Sequence, residues 1–281
     1  MTLLRRMGAA LAFKVVTSLP PGAVGRARVS GRLAPLLERI FALIGRPLNG
    51  TALAVAEGPG EGLGIVGERR SLAWLSGRVE PEIQSILERE LGPGDVFVDA
   101  GASIGFFSLL AARIVGPSGR AIAFEPQPVA AASVRTNVEL NGFENVTVVE
   151  AALSNARGTA MLRGVGTATA HLTTAGEAIG GLRVDRISLD DFLAERPAIV
   201  PDLVKIDVEG HEASVLAGMQ TTLAEDRPTL VVELHGDPRG IVETLEAADY
   251  VVSVIGTVGI AARDAEPAAH LLARPLDAAV P

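Results

Sequence analysis

Cysteine is absent from the 281 residues, lysine occurs twice, and tryptophan and tyrosine occur once each. Without cysteine there is no disulfide frame, no thiolate zinc site and no cysteine nucleophile, and the redox compartment is left open. Long apolar runs are missing too. No stretch free of Asp, Glu, Lys and Arg exceeds 13 residues, short of the roughly 18 that span a bilayer. Basic residues are outnumbered 25 to 33, a net charge of −8, which argues against the basic face of a general nucleic-acid binder.

What the chain has instead is glycine (31 residues), much alanine, and few aromatics. That mixture suits an α/β protein with many tight turns and small-residue packing. The length allows one large domain, or one domain and a sizeable extension. Near the start, Arg5 and Arg6 precede the apolar segment Met7–Phe13, which faintly resembles a signal peptide. Lys14 interrupts it, and Pro20-Pro21 breaks any helix. The expectation is a soluble amphipathic segment on a cytoplasmic protein, with membrane-surface contact or targeting as the alternative.

From residue 94 onward short apolar runs alternate with helical patterns. Asp95–Ala100 reads as a buried strand ending in a glycine turn, Phe106–Val115 as a helix, and Arg120–Glu125 as the second strand. Pro128 suits the first position of a helix running to Asn141-Gly142, where Gly can close it. Asn145–Ala152, Asp202–Val208 and Thr229–His235 read as further strands, with helices at Glu212–Glu225 and Gly240–Ala248. The alternation predicts βαβ units and a mostly parallel sheet with helices on both faces. Residues 1–80 show no such cycle and read as an extension of helices and short strands. Residues 81–281 form the α/β domain. Between its third and fourth strands lies a long insertion, Ser154–Pro201, with short strands expected at Thr159–Leu162 and Leu182–Leu189. Connections of this length are often lids or binding loops.

In such sheets ligands bind beyond the carboxyl ends of the strands. Gly101 allows a tight turn after the first strand, and Gly105 allows close packing of the next helix. Glu125, near the end of the second strand, is placed to accept both ribose hydroxyl protons of an adenosine-containing cofactor. A nicotinamide dinucleotide and S-adenosylmethionine both fit this frame. Ser103 stands where the middle Gly of the dinucleotide fingerprint would be needed, and Asp99 could hold a methionine amino group, so the reading leans to S-adenosylmethionine.

These residues resemble a known family. Val98–Gly105, Phe124-Glu125-Pro126, Asn141-Gly142 and above all Lys205-Ile206-Asp207-Val208-Glu209-Gly210-His211-Glu212 are similar to the FkbM-type methyltransferases. The likeness runs upstream through Trp74–Gly77 and Glu80-Pro81-Glu82 and downstream to Glu233-Leu234-His235 and Leu271–Pro275. Ser103 departs from the Asn more usual there. The resemblance implies a Rossmann-like class I fold with a seven-stranded sheet and one antiparallel strand, its C-terminal hairpin near Val251–Ile255 and His270–Ala273. It implies S-adenosylmethionine as cofactor and O-methylation of a hydroxyl on a sugar, glycolipid or natural product. Asp99, Gly101, Ala102 and Gly105 would hold the methionine moiety, beside Ser103 in the same turn. Glu125 would hold the ribose, and Pro126 and Gln127 would flank ribose and adenine. Ala152 and Leu153 would lie against the adenine, and Glu80 would cover the methionine end.

An attacking alcohol must lose its proton, and Asp207, Glu209 and His211 at the fourth strand's end are the candidate catalytic residues. His211 is the most natural base by its proton affinity, although Gly210-His211-Glu212 also reads as a loop entering a helix. Lys205 reads as a structural partner of Asp207 or Glu209. Glu233 could join Asp207 on a divalent ion, but no ligand triplet is evident and no metal is expected. His171, His270 and the Arg69-Arg70 pair read as surface or strand residues. A nicotinamide-dependent oxidoreductase and a catalytically silent cofactor-binding protein stay open as alternatives.

Overall fold

Alternation along the central strands divides the interior into two cores, one on each side of a single sheet. In a computed structural model, residues 50–67, 74–164, 171–173, 181–257 and 259–277 are described. The N-terminal segment around Met7–Phe13, the arginines at 26, 28, 32, 69 and 70, and parts of the long insertion lie outside them.

The described chain opens with an antiparallel hairpin, β1 (Thr51–Ala54) and β2 (Gly64–Gly67), and then helix α1 (Pro81–Glu90). The repeating α/β part follows as β3 (Val96–Ala100), α2 (Phe106–Val115), β4 (Arg120–Phe124), α3 (Pro128–Asn141) and β5 (Val146–Val149). A side sheet is made by β6 (Ala152–Leu153), β7 (Gly158–Arg163), β8 (His171–Thr173) and β9 (Leu182–Ile187). After α4 (Leu189–Ala194) the chain returns through β10 (Leu203–Ile206), α5 (Glu212–Ala217), β11 (Thr229–Glu233), α6 (Arg239–Ala247), β12 (Tyr250–Val254) and β13 (His270–Pro275). The main sheet has seven strands in the order β12-β13-β11-β10-β3-β4-β5. Only β13 runs antiparallel, hydrogen-bonded between β11 and β12, where the family resemblance expects the C-terminal hairpin.

Successive strand residues point to opposite faces. Val98, Ile122, Val204 and Val232 join one core with α4, α5 and α6. Phe97, Ala123, Leu203 and Val231 join the other with α1, α2, Val138 of α3, and Leu63 and Ile65 of the hairpin region. Asn137 and Asn141 tie the hairpin to α3. Asn137 Oδ1 accepts from Val66 N at 2.8 Å, and Asn141 both accepts from and donates to the Gly64 backbone at 2.7 Å.

Three sequence expectations change. The strand expected over Asn145–Ala152 is two pieces: β5 stays in the main sheet, whereas β6 pairs in parallel with β9 of the side sheet. The strand expected to Leu189 stops at Ile187, because Ser188 caps α4, its Oγ accepting from Asp191 N at 3.1 Å. The helix expected over Glu212–Glu225 ends at Ala217, and a wide π-type turn covers Thr222–Asp226. The interruption falls at Gly218, packed so closely that a Cβ there would lie 1.9 Å from Ser154 O.

Candidate active site

After β5 and the side sheet, the chain re-enters the main sheet at β10, beside β3. Strand order reverses there, and a cleft opens at the carboxyl ends of β3, β4 and β10. Its floor includes Gly101 and Ser103 after β3, Glu125, Pro126 and Gln127 after β4, and Asp207 and Glu209 after β10. Ala152 and Leu153 of β6 form a wall, and Glu80 stands at the rim preceding α1. Sequence reasoning missed Trp74, Leu162 and Leu172 as lining residues, while Glu233, singled out as a neighbour of Asp207, does line the cleft. Leu162 and Leu172 come from the insertion, whose strand pairing brings them to the cleft.

The turn after β3 is shaped by its glycines. Gly101 has φ 87°, and a Cβ on it would come within 1.9 Å of the Asp207 carbonyl oxygen. Any side chain there would push β3 and β10 apart where they meet the cleft. Gly105 has φ 84°, and a Cβ would press on Val134 of α3 at 2.9 Å. Ser103 also sits in the left-handed region, φ 55°, where Asn and Asp are the less strained choices. Its N–H donates to Glu125 Oε2 at 2.8 Å, and Gln127 N–H donates to Glu125 Oε1 at 2.9 Å. Glu125 is thus fixed by two backbone amides, 8% exposed, with its carboxylate at the cleft.

Beneath the floor is a buried charge network. Asp99 and Lys205 are register partners on β3 and β10, 1% and 2% exposed, on the face that packs α2. Ser108 Oγ of α2 donates to Asp99 Oδ2 at 2.6 Å, while Asp99 Oδ1 is buried without a hydrogen-bond partner among the described residues. Lys205 Nζ donates to Asp207 Oδ2 at 2.9 Å and lies 5.1 Å from the centre of the Phe107 ring. Burial raises the Asp99 pKa. Burial opposes the charge of Lys205, but Asp207, Asp99 and Glu80 hold its ammonium above the usual lysine range. Burial likewise opposes the charge of Asp207, and the adjacent ammonium holds this carboxylate below its usual range.

A second group lies above Asp207. His235 Nδ1 is 2.8 Å from Glu212 Oε1, and its Nε2 is 3.4 Å from Glu209 Oε2 and 3.7 Å from Glu233 Oε1. The Glu212 hydrogen bond, outweighing burial, pushes this imidazole up to about 9, so it is charged at neutral pH. His270 Nε2 is 3.5 Å from Glu233 Oε2 and 3.8 Å from Glu80 Oε2. Burial opposes the charge of His270, but Glu233 and Glu80 raise its pKa. Burial pushes Glu80 up to about 7 and raises Glu209. Asp207, Glu233 and His235 offer donor atoms within 4.8 Å of one another, as do Glu80, Glu233 and His270. Each imidazole is paired with these carboxylates. The sequence shows no such triplets because β10, β11 and β13 meet only in the folded sheet.

Of the three catalytic candidates, Asp207 and Glu209 line the cleft and His211 does not. The His211 ring is 2.9 Å from Ser154 Oγ, and burial lowers its pKa. Asp99, Ala102 and Gly105 also lie behind the cleft surface, supporting the turn rather than lining it.

A family model, the Methyltransferase FkbM domain, matches residues 99–252, from the end of β3 into β12. The chain belongs to the FkbM methyltransferase family. It is 29% identical over 173 residues to the hexuronic acid methyltransferase AglP of Haloferax volcanii, covering 61% of this chain and 70% of that one. It is 31% identical over 179 residues to the 31-O-demethyl-FK506 methyltransferase FkbM of Streptomyces tacrolimicus, covering 52% and 67%. A solved FkbM methyltransferase from Methylobacillus flagellatus superposes with a TM-score of 0.47 at 16% identity, over 73% of this chain and 54% of its own. As an FkbM methyltransferase, the chain joins a seven-stranded, Rossmann-like sheet to a cleft at the strand ends. No helix among its described residues is long and apolar enough to cross a membrane.

Proposed function

We propose that this FkbM methyltransferase transfers a methyl group from S-adenosylmethionine to a hydroxyl of a sugar, glycolipid or natural product. The observation that carries the cofactor reading is Glu125, a buried carboxylate locked by the Ser103 and Gln127 amides and open to the cleft. A carboxylate is an acceptor suited to ribose hydroxyls. The bare backbone at Gly101 lets the turn pack directly against the Asp207 carbonyl at the edge of the cleft. Gly101 and Ser103 border the methionine end, supported from behind by Asp99, Ala102 and Gly105, with Glu80 closing it. Pro126 and Gln127 border the ribose, and Ala152 and Leu153 face the adenine.

When bound, the cofactor supplies a methyl carbon already activated by its sulfonium. The chain's own task is to hold an acceptor oxygen in line and to receive its proton. Asp207, held charged by Lys205, and Glu209, beside charged His235, are hydrogen-bond acceptors that orient hydroxyls. The acceptor class follows the relatives, one acting on a hexuronic acid and one on 31-O-demethyl-FK506. The dinucleotide alternative is disfavoured by Ser103, whose N–H is bound to Glu125 instead of being presented to a pyrophosphate.

Calorimetry with S-adenosylmethionine and with NAD(P)H tests the cofactor. The expected result is binding of the former alone, and preference for the dinucleotide refutes the reading. Hydrogen bonds to a charged group contribute about 1.5–3 kcal/mol, so Glu125→Ala should weaken S-adenosylmethionine about 10- to 100-fold. Incubation with labelled cofactor and cell extract identifies the methylated product, and a label found only on nitrogen or on nucleic acid overturns the acceptor class.

A further inference from the structure

Among the described residues, Glu80 is the one cleft-lining carboxylate with a buried oxygen that has no hydrogen-bond partner. Its backbone is left-handed, φ 47°, at the residue preceding α1. That conformation is costly for a residue with a side chain and persists only when the surroundings hold it. The carboxylate reaches the cleft, yet Oε2 is buried and has no hydrogen-bond partner among the described residues. Its nearest cation is His270, 3.8 Å away.

The groups facing it come from three strands: Lys205 and Asp207 from β10 and its end, Glu233 from β11, and His270 from β13. The competing acceptors are engaged. Asp207 is bonded to Lys205 at 2.9 Å, Glu209 lies 3.4 Å from His235, and the His211 ring lies 2.9 Å from Ser154 outside the cleft.

We infer that Glu80 does more than close the methionine end: it is the base that takes the proton of the acceptor hydroxyl, with His270 and Glu233 as positioning residues. The inference rests on the methyltransferase reading above. The acceptor O–H bond breaks and its pair stays on the oxygen, which forms the new bond to the methyl carbon. The carbon–sulfur pair returns to sulfur, and the proton goes to the Glu80 carboxylate where it reaches the cleft, and from there to water. A carboxyl with a proton affinity near 7 suits this work, since an efficient base is matched to the operating pH.

Three measurements on the full chain test this, the first two needing no acceptor. Infrared titration of the cofactor-free protein should show a carboxylate titrating near pH 7 that disappears in Glu80→Gln. Calorimetry should show that Glu80→Gln retains affinity for S-adenosylmethionine and S-adenosylhomocysteine within about tenfold. With methyl glucoside and methyl glucuronide as acceptors, kcat at saturating cofactor should fall by at least about 100-fold. The wild-type decline in kcat below pH 7 should be lost, and Glu80→Asp should recover part of the rate. Overturning results are a Glu80 that titrates with ordinary carboxylates, a kcat unchanged at saturation, or a loss confined to cofactor affinity. If the wild type methylates neither glycoside, the kcat comparison is made on the acceptor identified with labelled cofactor and cell extract, and an unchanged kcat there overturns the role of Glu80.

Discussion

Lys205 shows how much one residue can carry at the floor of the cleft. It is one of two lysines in the chain and lies almost wholly buried among carboxylates. Removing one member of a buried ion pair leaves the other charge uncompensated, at a cost of about 3–5 kcal/mol. Lys205→Met should therefore lower unfolding stability by about that amount in urea titrations, and Lys205→Met/Asp207→Asn should recover a good part of it. A single variant that loses less than 1 kcal/mol would show that Asp207 does not depend on this partner. The sequence motif marked Lys205 as a structural partner of Asp207 or Glu209, and the fold pairs it with Asp207. The motif could not show that Asp99 lies opposite in register, since that neighbour is brought by β3 pairing with β10.

At the scale of elements, the hairpin β1–β2 illustrates what was hard to read. Its strands are four residues each, too short for a clear alternation, and it reads as part of an extension. In the fold it docks on α3 through Asn137 and Asn141, two polar residues of that helix. Asn137 is 1% exposed and also donates to Ile104 O at 2.9 Å, so it joins the hairpin, α3 and the cofactor turn. Asn137→Ala leaves the Val66 N–H and the Ile104 carbonyl without this partner, at about 1–3 kcal/mol. Amide hydrogen exchange at Val66 should accelerate more than exchange at Val204 in the sheet centre. Equal acceleration at both would mean that the hairpin unfolds only with the whole domain. Helices α2 and α3, by contrast, are read with their bounds from sequence alone, because glycine turns and Pro128 mark their ends.

Over the whole molecule, titratable groups gather at the cleft, where Glu80, Asp207, Glu209 and Glu233, with Glu212 beside them, meet Lys205 and two histidines. This sets the pH dependence of stability. The folded pKa of His235 lies near 9, above its ordinary 6.5. Its contribution is fully present below pH 6.5 and is lost as pH rises through 9. Glu80, raised from 4.5 to about 7 by burial, acts in the same direction at lower pH, its favourable contribution fading between 4.5 and 7. Thermal midpoints should therefore fall between pH 6.5 and 9.5, and His235→Gln should flatten that fall. A variant with the same slope as the wild type would remove His235 as its source.

The sequence by itself determined the α/β class, the succession of strands and helices, the glycine turn at Gly101 and Gly105, and Glu125 at the end of the second strand. These are local signals, carried by spacing and by residues with distinct backbone preferences. Only the tertiary structure decided that His211 turns to Ser154, that the chain leaves the main sheet at Ala152, and that Glu80, Glu233, His235 and His270 converge. Those outcomes depend on strands distant in sequence lying side by side, and on burial that changes the proton affinity of the groups brought together.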